Sequence, residues 1–386
     1  MNQKRPPLPP TEELPLLEAI QREAIRFDFR QGRRRRRALR LYLATVALTL
    51  VLAVLTLTAL ATGAGKPTTG TESGLPQILS GILMPDRACI AAGLSKPTQS
   101  KPTNPSPLTP ETLYQWSADQ VPEGHLPIIP MDLSLTAYGN AYFHNLTGLI
   151  PDAEALLKQD WSADPTPTPL ALTKSPRVLI LHTHGTESYS PDGALSYREE
   201  DLSVHSDDPQ KSVVAVGEAL ADTLNRQGIA TVHCTVLHDA SGYRDSYARA
   251  EETIRQYLEQ YPTIRLVIDL HRDSILKSTG EMVRPVSIVD GEAAAQVMCV
   301  VGSSWGGEEN PRWENNLALA LQLRKRLNEQ YENLCRPPYL QSATYNQELA
   351  PASLLLEIGA CGNSLGEAER SAVAVGNILA QMMKDL

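Results

Sequence analysis

Three groups of polar residues follow short apolar runs at widely separated points of the sequence. The first group contains two histidines and a glutamate, the second contains one histidine, and the third contains one glutamate. Histidine and carboxylate side chains are typical ligands of catalytic zinc, which takes three protein ligands and keeps one position for water. A separate carboxylate must then move a proton from that water to the leaving group. Glu357 is the expected catalytic acid/base, and the candidate zinc ligands are His182, His184, Glu187 and His271.

The apolar runs before these groups have the pattern of buried strands. RVLILH, RLVIDLH and LLLEIG are short and continuously apolar, as is typical of strands covered on both faces. Apolar residues recur at helical spacing in residues 212–227, 247–260, 315–330 and 367–383. This alternation predicts an α/β fold with a largely parallel sheet flanked by helices. Because ligand sites form at the carboxyl ends of parallel strands, we expect the three groups to converge there.

Composition and charge narrow the possible classes. An apolar fraction of 42% with 20% charged residues excludes a wholly disordered chain of 386 residues. The five cysteines are dispersed without a CxxC pair, which argues against a disulfide scaffold and a cysteine-based zinc site. The net charge of −9 divides into +6 for residues 1–40 and −15 for the remainder. Because most of the chain is acidic, a nucleic-acid partner is not expected for it.

The basic amino-terminal region predicts a membrane anchor. Five consecutive arginines at 33–37 precede residues 41–65, which contain no charged side chain. Such a segment is long enough for a transmembrane helix, here expected at 41–63. The positive-inside rule places residues 1–40 as a basic cytoplasmic tail and the rest on the outer face of the cell membrane. A cleaved signal peptide is the less favoured alternative, because its apolar region is usually shorter and nearer the start.

Residues 64–174 have the composition of a Pro/Ser/Thr-rich stalk. Sixteen of the 29 prolines lie between residues 66 and 176, and such density favours extended chain. Residues 133–161 interrupt this pattern with aromatic residues and a short amphipathic stretch. A small helical docking segment and a partly ordered stalk are both open interpretations. The domain with the candidate site is expected at 175–386.

Several motifs in residues 177–386 resemble those of a known enzyme group. VLILHTHG, VIDLHRDS and LLLEIGACGN are similar, in this order, to motifs of the zinc-dependent N-acetylmuramoyl-L-alanine amidases, which cut bacterial peptidoglycan. The resemblance implies an amidase-like fold for 175–386. It also implies that His184 and His271 are zinc ligands and that Glu357 is the acid/base.

HTHGTESY, IDLHRDS and SATYNQELAP, together with the anchor and spacer, look more specifically like the stage II sporulation protein P family. Its members are membrane-anchored amidases and endopeptidases of spore-forming bacteria. The resemblance implies peptidoglycan as the substrate, including cross-linked stem peptides, and the septal wall during engulfment as the place of work. It implies stage II sporulation protein D and another engulfment membrane protein as partners.

The carboxylate ligand is the point at which the sequence departs from the amidases. Their second ligand is usually a glutamate further past the first histidine, where this chain has Glu199 and Glu200. Glu187 lies closer, inside the HTHGTES element, and is the favoured candidate. His182 is expected either to bind the metal or to orient a ligand, as groups behind metal-bound imidazoles often do.

Two further residues are candidates for substrate binding. Arg272 and Asn346 are expected to contact substrate. The alternatives are a structural ion pair for Arg272 and a turn for Asn346.

A second functional class also stays open: a non-catalytic, membrane-anchored wall-binding or scaffold protein with the same fold. A serine hydrolase is not favoured, because no G-x-S-x-G turn is present.

Overall fold

The computed structural model describes residues 108–134, 142–162, 175–201 and 204–385. The predicted tail at 1–40, the predicted transmembrane helix at 41–63 and the first part of the predicted stalk lie outside these residues. Among the helices of the described ranges, none combines the length and the apolar character needed to cross a membrane.

Strands and helices alternate through most of the described chain. The strands are β1 Leu126–Met131, β2 His144–Asn145, β3 Val178–Leu181, β4 Ser196–Tyr197, β5 Thr231–His233, β6 Leu266–Asp273, β7 Met282–Val289, β8 Glu292–Ala295, β9 Val297–Gly302, β10 Tyr339–Gln341 and β11 Ala352–Ala360. The α-helices are α1 Pro110–Leu113, α2 Ala153–Leu156, α3 Val213–Arg226, α4 Ser246–Gln260, α5 Trp313–Gln330 and α6 Leu365–Lys384. Short 3-10 turns lie at Ala118–Gln120, Glu199–Asp201, Pro209–Lys211 and Ser304–Gly306.

Local sequence explains where helices α3 and α6 begin. The Ser212 side chain accepts a hydrogen bond from the Val214 amide at the start of α3. Helix α6 begins with a capping box formed by Ser364 and Glu367. These side chains satisfy backbone amides that have no partner inside the helix. Gly228 follows α3 with a φ of 82°, a conformation that glycine adopts without strain.

The main sheet has seven strands in the order β2-β10-β9-β11-β6-β3-β5. Strand β9 runs antiparallel to β11, whereas the other neighbours in this sheet are parallel. The second sheet, in the order β4-β1-β7-β8, is also mixed. The prediction of a largely parallel sheet is therefore corrected to a mixed α/β fold. The difference arises because β9 leads directly on from the β7–β8 hairpin and enters the main sheet in the reverse direction.

The second sheet begins in sequence that was predicted to be stalk. Strand β1 lies between β4 and β7, and Ile128 in it is 1% exposed. It pairs in parallel with β7 from Ile128 to Met131. The predicted stalk at 64–174 thus extends too far toward the carboxyl end. Proline density there describes the local preference of the chain, but it does not exclude pairing with a distant strand.

Residues 142–162 also pack onto the α/β unit. Phe143, Leu156 and Trp161 are at most 5% exposed and belong to the same apolar cluster as α5 and α6. The Gln159 side chain donates to Asn315 Oδ1 at 2.5 Å. Burial of each large side chain is worth about 1.5–3 kcal/mol. This segment is therefore part of the folded unit.

The two faces of the main sheet are covered by different helices. Side chains alternate between the faces along a strand. Leu181 and Val267 pack with α4, whereas Ile180, Leu270 and Leu356 pack with α3, α5 and α6. Polar side chains at odd-numbered positions late in β6 and β11 therefore lie on the α4 face.

Candidate active site

The candidate site lies at the carboxyl ends of β3, β6 and β11. These three strands are parallel neighbours, so their ends meet at one edge of the sheet. His271 and Glu357 occupy paired positions on β6 and β11, and Leu181 pairs with Asp269 at the end of β3. Distant parts of the sequence thus converge at this edge, as the pattern of strands and polar groups predicted.

His271 lies between two carboxylates. Its Nε2 atom is 2.9 Å from Asp269 Oδ1, and its Nδ1 atom is 3.5 Å from Glu187 Oε2. The Asp269 contact has the distance of an ion pair, but its angle falls outside hydrogen-bond geometry. Thr183 holds Asp269 through its amide at 2.8 Å and its hydroxyl at 2.6 Å. Asp269 is thereby fixed behind the imidazole.

Buried charges dominate the electrostatics around His271. Burial alone would lower the pKa of His271, but Asp269 and Glu187 outweigh it and raise that pKa well above its usual range. Burial likewise acts to raise the pKa of Glu187, but Arg272 and His271 hold it well below its usual range. The site therefore favours a cation between these carboxylates.

Glu187 is fixed by the residue that follows His271. Its Oε2 atom accepts a hydrogen bond from the Arg272 amide at 3.0 Å, and the Arg272 guanidinium lies 3.9 Å from Oε1. The same guanidinium donates to the Ser188 and Val204 carbonyls. Arg272 is 4% exposed. The prediction that Arg272 contacts substrate is therefore corrected: the side chain holds the Glu187 loop against β6.

His184 approaches the same point from the turn after β3. Its ring centroid lies 5.3 Å from that of His271, with the two rings nearly perpendicular. Tyr243, which is 54% exposed, stacks on the other side of His184 with a centroid separation of 4.0 Å. Tyr247 of α4 meets the ring edge-on, and Ser246 Oγ lies 3.3 Å from His184 Nδ1. Helix α4 thus contributes two of the residues around this imidazole.

The side chains around His271 are of the types that catalytic zinc takes as ligands. Two donors bound to one tetrahedral zinc ion lie about 3.3 Å apart, and two imidazoles on it have centroids about 5 Å apart. The His271–Glu187 and His271–His184 spacings of 3.5 Å and 5.3 Å agree with these values. Within the described residues, no group of three or more His, Cys, Asp or Glu side chains encloses a point suited to a metal ion. His184 Nδ1 instead faces Ser246, so the fit rests on donor types and these two spacings.

Glu357 is a half-buried residue beside His271. Its Oε2 atom has no hydrogen-bond partner among the described residues. Burial and the nearby Asp273 raise the pKa of Glu357 to about 8. Asp273 is in turn 2.8 Å from the Arg336 guanidinium, which is 4% exposed. A carboxyl group with a pKa near neutrality is suited to both accept and donate a proton.

His182 does not join the other three predicted ligands. It lies on the α3 face, where its Nδ1 bonds the Leu270 carbonyl and its Nε2 bonds His233 Nε2, both at 2.9 Å. Both ring nitrogens are therefore occupied. The two histidines do not share one face of a strand, because β3 ends at Leu181 and the chain turns before His184.

The remaining candidates lie outside the cluster around His271. Glu199 and Glu200 are exposed in a 3-10 turn, whereas Glu187 is buried beside His271. The Asn346 side chain donates to the Tyr247 carbonyl at 2.9 Å from a backbone with a φ of 59°. Asn346 thus holds the start of α4, and its contact with substrate stays a prediction.

Sequence reasoning gave no separate role to three residues that shape the site. Asp269 lies two positions before His271 on β6, so strand periodicity could have placed it on the same face. Arg336 and Tyr243 come from loops far away in sequence, and no local pattern links them to β6.

The fold and the site together define a mixed α/β protein with histidine and carboxylate side chains gathered at the carboxyl ends of parallel strands. Residues 150–380 match the family model of Stage II sporulation protein P (SpoIIP). This match covers more than half of the chain, and the chain therefore belongs to that family.

A curated relative and two solved structures are also similar to this chain. Stage II sporulation protein P of Bacillus subtilis (strain 168) is 30% identical over 219 residues, which cover 54% of this chain and 51% of the relative. The chain thus matches about half the length of that relative.

The solved structures are the catalytic domain of the CD27L endolysin targeting Clostridia difficile and the CwlD amidase of Clostridioides difficile in complex with the GerS lipoprotein. They have TM-scores of 0.31 and 0.29 and identities of 14% and 13%. Each covers 54% of this chain, and the alignments include 96% and 98% of those chains. Similarity this distant does not identify the function of this chain.

Proposed function

We propose that this protein is an exported zinc-dependent peptidoglycan hydrolase of sporulation that cleaves the amide between N-acetylmuramic acid and L-alanine. One observation carries the proposal: His271 and Glu357 are neighbours on parallel strands, with Glu187 Oε2 3.5 Å from His271 Nδ1. This arrangement combines side chains of the types that bind metal ions with a separate carboxylate residue. Membership of the SpoIIP family supports the link to sporulation and the cell wall.

The residues that would hold zinc are His184, Glu187 and His271. When bound, zinc would polarise the scissile carbonyl and lower the pKa of a water molecule toward neutrality. Asp269 would orient His271 from behind, as carboxylates commonly do for metal-bound imidazoles. Arg272 would hold Glu187 in place through the contacts described above.

Glu357 would carry the proton between the attacking water and the leaving nitrogen. Its Oε2 atom accepts no hydrogen bond from the described residues, so its lone pairs are not engaged by a protein donor. The proton taken from that water would then pass to the amide nitrogen as the C–N bond breaks, which releases the stem peptide with a free amino terminus. A positioned acid/base of this kind contributes about 10²–10⁴-fold to a rate.

The wider setting is part of the same proposal. Residues 41–63 carry no charged side chain and follow a run of arginines. Both features support a single-pass anchor, with the tail in the cytoplasm and the hydrolase on the outer face. Cross-linked stem peptides are a second proposed substrate. Stage II sporulation protein D and another engulfment membrane protein are the proposed partners, on the strength of the motif resemblance and the family.

The direct test treats purified peptidoglycan with the full chain. We expect the protein to contain bound zinc and to release soluble stem peptides with new alanine amino termini. A chelator added before the substrate should remove the zinc and prevent the release of these products. His271→Ala should lose both zinc and activity, whereas Glu357→Gln should keep zinc and lose about 10²–10⁴-fold in rate. Glu348→Gln is the matched control, because Glu348 also has an unpartnered carboxyl oxygen but lies outside the cluster around His271.

The products separate the alternatives. New amino termini on residues other than alanine would show that cross-links are the preferred target. Binding to peptidoglycan without release of any fragment would contradict the hydrolase and favour the wall-binding or scaffold alternative. Full activity in metal-free protein would contradict the zinc dependence.

A further inference from the structure

A chain of side-chain hydrogen bonds reaches the β6 backbone from the helix surface. Glu218 Oε2 lies 2.8 Å from His233 Nδ1, and His233 Nε2 lies 2.9 Å from His182 Nε2. The other nitrogen of His182 lies 2.9 Å from the Leu270 carbonyl oxygen, immediately before His271. His182 is fully buried, whereas Glu218 is exposed. The chain therefore connects the surface of α3 with the strand that carries His271.

The β6 backbone needs this contact because β3 stops short of it. The β3–β6 register ends at the pair Leu181–Asp269. The amide of Thr183, which lies just after β3, donates to the Asp269 side chain instead of continuing the ladder. The Leu270 carbonyl receives its hydrogen bond from the His182 side chain in place of a backbone amide.

The two peptide groups around His271 are thus both held by side chains. His182 binds the Leu270 carbonyl, and Glu187 accepts from the Arg272 amide. These contacts come from opposite faces of the sheet, since His182 packs against α3 and Glu187 lies beside His271 on the α4 face. Together they fix the backbone on which the His271 side chain is mounted.

A glycine in α3 makes room for the two imidazoles. A Cβ atom on Gly217 would lie 2.6 Å from His182 Cε1 and 2.7 Å from Nε2 of both His182 and His233. Glycine inside a helix costs about 1 kcal/mol relative to alanine. The close approach to both rings is a physical reason for glycine at this position.

The acceptor at one end fixes the direction of the hydrogen bonds. Because the Leu270 carbonyl can only accept, His182 carries its hydrogen on Nδ1. Its Nε2 atom must then accept from the N–H of His233 Nε2. The remaining nitrogen, His233 Nδ1, faces Glu218 Oε2 at 2.8 Å, which is the surface end of the chain.

We infer that His182, held by His233 and Glu218, is a positioning residue that fixes the orientation of His271 from the opposite face of the sheet. The inference rests on the proposed function only in taking His271 as a residue of the active site. It replaces the expectation that His182 is itself a metal ligand.

The test uses the full chain labelled with ¹⁵N only at histidine, because eight histidines give a sparse spectrum. Wild type should show His182 protonated at Nδ1 and not at Nε2. His233→Leu removes the donor to His182, so the His182 and His271 signals should both shift. With peptidoglycan as substrate, kcat should fall by roughly tenfold to 10²-fold while KM changes less than about twofold.

His233→Gln is the rescue variant, because its amide can donate to His182 from a similar reach. It should restore the His271 signals and most of kcat. Asp222→Asn is the control for charge, since Asp222 lies on the same helix and makes no hydrogen bond of this chain. Its His182 and His271 signals should match those of the wild type. Should His233→Leu fail to fold, Glu218→Gln at the exposed end should still shift the His182 signals.

Unchanged His271 signals in a folded His233→Leu protein would overturn the inference, as would equal losses in the Leu and Gln variants. The spectra remain informative if the wild-type protein shows no hydrolysis. In that case the proposed function fails, while the His271 signals still decide whether His182 positions that ring.

Discussion

Replacement of Asp269 by asparagine tests the metal site with little change in shape. Asp269 Oδ1 lies 2.9 Å from His271 Nε2 and accepts the Thr183 amide, while Oδ2 accepts the Thr183 hydroxyl. Asparagine keeps one oxygen for the amide and the imidazole. Its NH₂ group can donate to the Thr183 hydroxyl, which reverses its own role. The substitution therefore retains the local hydrogen bonds and removes the negative charge behind His271.

Loss of that charge should weaken zinc binding. Replacement of a group that orients a metal-bound imidazole typically costs 10–100-fold in affinity, which corresponds to about 1.4–2.8 kcal/mol of binding free energy. Competition between the full chain and a coloured chelator measures the zinc Kd directly. We expect Asp269→Asn to raise this Kd by about 10–100-fold, while the free energy of unfolding of the metal-free protein changes by less than about 1 kcal/mol.

Thr183→Val is the matched control for this prediction. It removes the hydroxyl that donates to Asp269 but leaves the carboxylate beside His271. A buried acceptor without its partner costs about 1–3 kcal/mol of stability, so the control should unfold more easily and bind zinc within about threefold of wild type. The reasoning is refuted if Asp269→Asn binds zinc as tightly as wild type, or if both variants weaken zinc equally.

Three further predictions concern the fold around the site. Trp161→Ala should lower the free energy of unfolding, measured in urea, by about 3–5 kcal/mol, because the ring is only 4% exposed. The control Ile150→Ala, at a position that is 97% exposed, should change it by less than about 0.5 kcal/mol. Burial and two nearby arginines lower the pKa of His144 below its usual 6.5, so the unfolded chain binds a proton first as the pH falls and folding is weakened. His144→Phe should therefore reduce the loss in Tm between about pH 8 and about pH 5. Arg272→Lys should lower the free energy of unfolding by at least about 2 kcal/mol, because lysine cannot reproduce the guanidinium contacts to the Ser188 loop; unchanged stability would contradict this assignment.

The sequence predicts the elements that carry the site because their patterns are local. Continuous apolar runs correctly indicated β3, β6 and β11, and helical spacing placed α3 at 212–227 against the observed Val213–Arg226. The convergence of His271 and Glu357 followed from the rule that parallel strands end at one edge. These inferences needed no knowledge of which loops pack together.

Features that depend on distant contacts were not predictable in the same way. Strand β1 contains Pro127 and Pro130, which usually disfavour a central strand. Here β4 pairs with β1 only at Leu126 and Pro127, and β7 pairs with it from Ile128 onward. The sequence left the role of His182 open for a different reason, because side chains alternate between the faces only while a strand continues. Neither the pairing of β1 nor the end of β3 at Leu181 is encoded in local composition.

The early end of β3 is the feature that makes the site possible. Strand β6 continues to Asp273, beyond the last residue of β3, so one edge of β6 faces loop residues instead of a neighbouring strand. A longer β3 would place its own amide on the Leu270 carbonyl and its own carbonyl at the Arg272 amide. Those positions would then be closed to His182 and Glu187. One structural feature, the turn of the chain after Leu181, therefore allows His182 to complete the ladder and Glu187 to lie beside His271.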